Sequence, residues 1–372
     1  MVYISPRALT NYTILAGSYT STISTFIFDA AAGKLSLAST SEAGTNPSWI
    51  QLSPDSKALF ATQEQADGAI VSFSVQTDGS LKQVSQASSG GADPAALAVL
   101  SSGKEVVVAD YSSGGILSFP IEADGVTLGD PAPILVLQGS GPVPGRQDSP
   151  HPHQVVEHGD EILIPDLGSD KVWRLTQTAD GGYEIAGSVD QAPGSGPRHV
   201  VPHDGNLYVL HELDNALSQY TLPPLKSSGA PGCNVTPKLV ANYSVLPDEQ
   251  PEGAVWGAGE LFLSPASAAF PEQYLYASNR NVGTGLDPRG DSLAIFAIKP
   301  ELKLVAQAYT GLSQLRGVAL LGEDGKYIIA AGLGGGGVSV FERIEGGADL
   351  KLVDNYTGPG SEKIVSFDWI RQ

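Results

Sequence analysis

The 372-residue chain has one cysteine, one methionine and six histidines, and only 21 basic residues stand against 40 acidic ones. The single cysteine, Cys233, excludes internal disulfides and thiolate metal centres; in G-A-P-G-C-N it reads as a lone loop residue. A formal charge of −19 is repelled by phosphate backbones and anionic lipid, so neither nucleic acid nor a membrane is expected as a partner. No apolar run approaches the roughly 20 residues of a spanning helix. The first twenty residues lack a basic-then-apolar leader, which reads as an intracellular chain or one written in mature form. Long helical patterns are missing as well.

Glycine (44) and proline (26) are plentiful, which suits many short strands joined by tight turns. Asparagine is scarce, yet four of its nine occurrences begin an N-x-Ser/Thr sequon, at Asn11, Asn234, Asn242 and Asn355. Average Ser and Thr usage would give about one. The excess points to a secreted glycoprotein, with a cytoplasmic enzyme as the alternative.

A four-strand unit recurs along the chain. It opens with N-P-S-W-I-Q-L (from Asn46), D-P-A-A-L-A-V-L (from Asp93), S-P-H-P-H-Q-V-V (from Ser149), G-P-R-H-V-V (from Gly196), E-G-A-V-W (from Glu252) and L-R-G-V-A-L (from Leu315). Second strands of the A-L-F-A-T, E-V-V-V-A-D, E-I-L-I-P-D, N-L-Y-V-L-H, Y-L-Y-A-S-N and Y-I-I-A-A type follow, each with a third and fourth strand after it. Pro47 and Pro94 are 47 residues apart, as are Pro150 and Pro197. Six units are complete. The C-terminal I-V-S-F-D-W-I (Ile364 to Ile370) reads as the opening strand of a seventh, completed by N-terminal strands from Thr13, Ile23 and Lys34. The pattern predicts an all-β, seven-bladed β-propeller over residues 1–372, one domain with four-stranded blades and a ring closed by both termini. The long stretch Leu225 to Gly253 is expected to pack outside the ring.

All six histidines fall between Ser149 and Leu213, in a chain otherwise poor in charge. In a propeller the opening strands and the ends of the second strands meet at one rim. His153 and Arg198 belong to openings, and Asp166, Glu212 and Arg280 to second-strand ends. A carboxylate, imidazoles and two guanidiniums are therefore expected around one channel mouth. The competing reading is structural: Arg198 and Glu212 as a buried pair stapling blades, and His151, His199, His211, Asp166 and Asp170 as turn or loop braces.

The stretches G-S-Y-T at Gly17, N-P-S-W at Asn46, A-D-Y-S-S-G-G at Ala109, H-P-H-Q, D-L-G-S-D, G-P-R-H, H-E-L and A-S-N-R at Ala277 span nearly the whole chain. They resemble the seven-bladed lactonases, a family that includes bacterial 6-phosphogluconolactonase and the fungal 3-carboxy-cis,cis-muconate lactonizing enzyme. By motif, the resemblance implies a site of His153, Arg198, Glu212 and Arg280. Glu212 with His153 is expected to move protons, and the arginines to hold a carbonyl oxygen or carboxylate. His151, His199 and Asp166 are expected to contact the substrate. No cofactor or metal is expected: the glycine run Gly332 and Gly334 to Gly337 lacks the lysine and helix of a phosphate loop, and no G-x-S-x-G elbow occurs. His151, His153 and Asp166 could share a metal, but the prolines flanking His151 argue against it. The expected activity is hydrolysis of a sugar-acid lactone. The runner-up is 3-carboxy-cis,cis-muconate cyclization, and the third reading is a non-catalytic binding propeller.

Overall fold

The second strand of each repeat is apolar at successive positions because both of its faces are covered. In Leu207-Tyr208-Val209-Leu210, alternate side chains point to opposite sides of the sheet, and all four are buried. Leu207 and Val209 pack with Leu163 and Val172 of the preceding repeat. Tyr208 and Leu210 pack with Ala258 and Leu275 of the following one. Each such fully buried aliphatic side chain contributes roughly 1.5–3 kcal/mol. Seven clusters of this kind form the core, one at each junction between neighbouring sheets.

The computed structural model describes residues 11–225 and 236–371; Cys233 and the sequon at Asn234 lie outside them. Twenty-eight strands form seven antiparallel sheets of four, and the one helical segment among the described residues is the 3₁₀ turn Glu345–Gly347. This is the seven-bladed propeller. In blade 1 the C-terminal strand Ile364–Trp369 lies innermost, paired with Asn11–Ser18, so the two ends of the chain close the ring. The inner strands of blades 2 to 7 are Ile50–Leu52, Pro94–Val99, Val156–His158, Pro197–His203, Trp256–Leu263 and Ser313–Leu321.

Three details depart from the sequence reading. It is Pro152, not Pro150, that faces Asp166 as Pro197 faces His211 and Pro94 faces Asp110, so the equal spacing between Pro150 and Pro197 does not reflect equivalent places. The stretch Leu225 to Gly253 is not simply an insert: Leu239–Ser244 within it is the outermost strand of blade 5. Finally, the inner strand of blade 6 starts at Trp256, beyond the E-G-A-V opening.

Candidate active site

Where an inner strand reaches the channel, its pairing with the second strand slips by one residue. In blade 5 Pro197 pairs with His211 and His199 with Leu210, which leaves Arg198 between them unpaired. The same slip frees Ala95 in blade 3, Arg316 in blade 7 and Val365 in blade 1. A bulge of this kind bends the strand and re-aims one side chain, and here that side chain faces the channel. His153 and Ser48 stand at corresponding places in blades 4 and 2, directly after Pro152 and Pro47. All six line the constriction of the channel. Blade 6 has its own slip and contributes the carbonyl of Gly259, which accepts a hydrogen bond from Arg198 Nη1 at 2.5 Å. A second tier comes from the residue after each second-strand position that faces a slip, and it includes Tyr19, Glu64, Tyr111, Glu212 and Arg280.

The two tiers enclose a cavity of about 240 Å³ lined by Glu64, Ala95, Tyr111, Arg146, His153, Glu212, Arg280 and Arg316. That is below the roughly 300–1,000 Å³ of drug-sized sites and suits one small ring. Three guanidiniums and two carboxylates face it, so the opening is locally cationic in a strongly acidic protein. Glu212 is the hub. Its Oε1 lies 2.6 Å from Arg146 Nη2, and its Oε2 lies 2.9 Å from Arg198 Nε and 2.8 Å from Arg280 Nη2. Burial pushes the Glu212 carboxyl up, but Arg280, Arg198 and Arg146 outweigh it and hold the group well below the ordinary carboxylate range. Engaged through both oxygens by three guanidiniums, this carboxylate is poorly placed to take a proton from a substrate or water.

His153 differs in having no charged partner bound to its ring among the described residues. Its ring is buried at 5% exposure, Nδ1 has no hydrogen-bond partner among the described residues, and Tyr111 and His199 pack against it edge-on and tilted. Burial, reinforced by Arg198, holds its pKa well below 6.5, so the imidazole is neutral at neutral pH. Behind it, His199 Nε2 lies 3.0 Å from Arg198 Nη1 and its Nδ1 lies 2.5 Å from Glu260 Oε1. Burial outweighs Glu260 and keeps His199 below its usual value.

Of the residues singled out from sequence, His153, Glu212 and Arg280 meet at the cavity, and Arg198 lies in its floor at the constriction. The three expected substrate contacts, His151, His199 and Asp166, are not among the residues that line the cavity. His151 stacks on Tyr111, ring centroids 4.4 Å apart, and its Nδ1 sits 2.8 Å from the Tyr111 carbonyl. His199 is sealed behind Arg198. Asp166 is fully buried, and its oxygens accept from the backbone N–H groups of His151, Gly168 and Ser169, from Ser169 Oγ and from Trp173 Nε1. Among the described residues no set of three His, Cys, Asp or Glu side chains converges as a metal site.

Sequence reasoning missed Arg146, Arg316, Glu64 and Tyr111. Arg280 also donates to the carbonyls of Gly257 and Ala258, and Glu64 is held by the Tyr19 hydroxyl, 2.9 Å from each of its oxygens.

A closed seven-bladed ring with a small, arginine-rich cavity at its channel defines the class: a β-propeller with a central pocket sized for one small ligand. Residues 13–367 match the model of the lactonase family, described as "Lactonase, 7-bladed beta-propeller", and the chain belongs to that family of lactone hydrolases. It is 31% identical to the probable 6-phosphogluconolactonase of Arthroderma benhamiae over 345 residues, covering 87% of this chain and 80% of that one. It is 28% identical to the 6-phosphogluconolactonase of Formosa agariphila, covering 93% and 96%. The crystal structure of a putative 6-phosphogluconolactonase from Bacteroides fragilis superposes with a TM-score of 0.81 at 25% identity, covering 97% and 98%.

Proposed function

We propose that the chain hydrolyses the lactone of a sugar acid in the channel cavity, with His153 as the general base. The observation that carries this reading is an unpartnered, neutral imidazole facing guanidiniums across a cavity sized for one ring. Water attacks the ring carbonyl carbon while His153 takes its proton. The carbonyl oxygen gains negative charge beside the arginines. Collapse of the tetrahedral intermediate breaks the ring C–O bond, and His153 returns the proton to the leaving oxygen. The product is the open hydroxy acid. Glu212, assigned from sequence to proton transfer, acts here as the fixed counter-charge that positions Arg146, Arg198 and Arg280.

Proton release from glucono-1,5-lactone at slightly acidic pH, measured above the spontaneous rate, tests this. His153→Asn should lower kcat by about 10²–10⁴. The relatives named 6-phosphogluconolactonase make the 6-phosphorylated lactone the second substrate to assay. Loss of the ultraviolet absorbance of 3-carboxymuconate without lactone hydrolysis would replace this reading with the cyclase, and inertness toward all three would favour a binding propeller.

We also propose secretion. Asn11, Asn242 and Asn355 are exposed, as glycan acceptors must be. A mass loss on endoglycosidase treatment of the protein from its native source supports this, and an unmodified protein refutes it.

A further inference from the structure

Four guanidiniums converge on the channel, and three of them are committed. Arg146, Arg198 and Arg280 all contact Glu212. Arg198 also donates to the Gly259 carbonyl and meets His199, and Arg280 also donates to the Gly257 and Ala258 carbonyls. Arg316 differs: among the described residues its side chain makes no hydrogen bond and no ion pair. Its guanidinium carbon sits 5.1 Å from the centre of the Tyr19 ring. Its side chain lines both the cavity and the constriction, as His153 does.

The backbone explains the aim. Strand Ser313–Leu321 pairs Leu315 with Gly332 and Gly317 with Ala331, so Arg316 is the residue released by the slip. It occupies in blade 7 the place that Arg198 holds in blade 5 and His153 in blade 4. Gly317 beside it is forced: a Cβ there would lie 2.9 Å from the Val365 carbonyl carbon. Arg316 is thus held at a fixed position by tightly packed backbone, with its donors turned to the cavity.

An uncommitted guanidinium has five N–H donors to give, and burial raises the worth of each toward a developing charge. Glu64 does not absorb them: its carboxylate faces the Tyr19 hydroxyl and, among the described residues, makes no hydrogen bond or ion pair with Arg316. Resting on the lactonase reading above, we propose that Arg316 is a further catalytic residue, the donor that holds the lactone carbonyl oxygen as it becomes an oxyanion. Arg146, Arg198 and Arg280 with Glu212 then form the frame of the site, and His153 and Arg316 flank the reacting carbonyl.

Arg316→Ala, Arg316→Lys and the wild type are compared in steady-state lactone hydrolysis, with and without added guanidinium ion. Arg316→Ala should lose about 10²–10³ in kcat, with KM changed less than threefold. Guanidinium ion should restore part of that kcat, and Arg316→Lys should fall between the two. Thermal melts show whether each variant folds, and Arg316→Lys carries the test if the alanine variant does not. A raised KM at unchanged kcat would make Arg316 a binding anchor and overturn the proposal, as would undiminished turnover. An inactive wild type would remove the lactonase reading and this assignment with it, whereas an active wild type with a fully active Arg316→Ala removes this assignment alone.

Discussion

Arg198 Nε donates to Glu212 Oε2 at 2.9 Å between neighbouring strand positions of blade 5, and the same oxygen meets Arg280 from blade 6 at 2.8 Å. One carboxylate therefore ties two blades together at the channel. The structural reading of this pair and the chemical one are compatible: the tie sets where the guanidiniums stand.

Replacing Glu212 with glutamine should damage both roles. The amide keeps the shape but leaves Arg198, 2% exposed, without its counter-charge, and breaking a buried pair from one side costs about 3–5 kcal/mol. Turnover should fall at least about tenfold as the arginines lose their alignment. The acid limb of the pH–rate profile should survive, because it belongs to His153. A melting curve and a kcat profile between pH 4 and 8 check this, and disappearance of the limb in Glu212→Gln would return the base role to Glu212.

The ring was legible because its period is enforced by packing: every second strand must be apolar on both faces to sit between two blades. The site was legible where a proline announced the slip. In N-P-S, D-P-A, H-P-H and G-P-R the residue after the proline is the one aimed at the channel: Ser48, Ala95, His153 and Arg198. Arg316 escaped because L-R-G-V has no proline, and Arg146 because it lies in a loop with no place in the repeat. Glu64 and Tyr111 were readable, since T-Q-E and A-D-Y stand in register with L-H-E. Asp166 stands one step before the rim position, in register with His211. Side chains alternate along a strand, so His211 turns away from the channel while Glu212 after it lines the cavity, and Asp166 has the orientation of His211.

That step gives a clean test. Asp166 accepts from three backbone N–H groups, the Ser169 hydroxyl and the Trp173 indole, and so fixes the D-L-G-S turn and the approach to His153. Asp166→Ala leaves those buried donors unsatisfied, at a cost of about 1–3 kcal/mol for each one that water cannot reach. The melting temperature should drop by several degrees, while KM measured well below the melt stays within about twofold of wild type. A raised KM with an unchanged melt would restore Asp166 to the substrate contacts.

Asp110 occupies in blade 3 the place of Asp166 in blade 4, facing Pro94 as Asp166 faces Pro152, but it lacks the matching donors. It is fully buried, neither carboxyl oxygen has a partner in good hydrogen-bond geometry among the described residues, and the nearby Ser89 hydroxyl only partly offsets the burial. Burial pushes its pKa from 3.8 up to about 7. A raised value means that the folded protein keeps a proton the unfolded chain has already lost. The contribution of Asp110 to stability is therefore fully present below pH 3.8 and is lost as pH rises through about 7. Above that, the fold carries an unpaired buried charge. Asp110→Asn, which cannot ionise, should match the wild type near pH 4 and exceed it near pH 8 by up to about 4 kcal/mol, the equivalent of the shift at 1.36 kcal/mol per unit. Denaturant unfolding at the two pH values measures the difference. Equal stability at both would mean that the Asp110 carboxylate finds compensation when ionised, and the neutral buried acid would have to be given up.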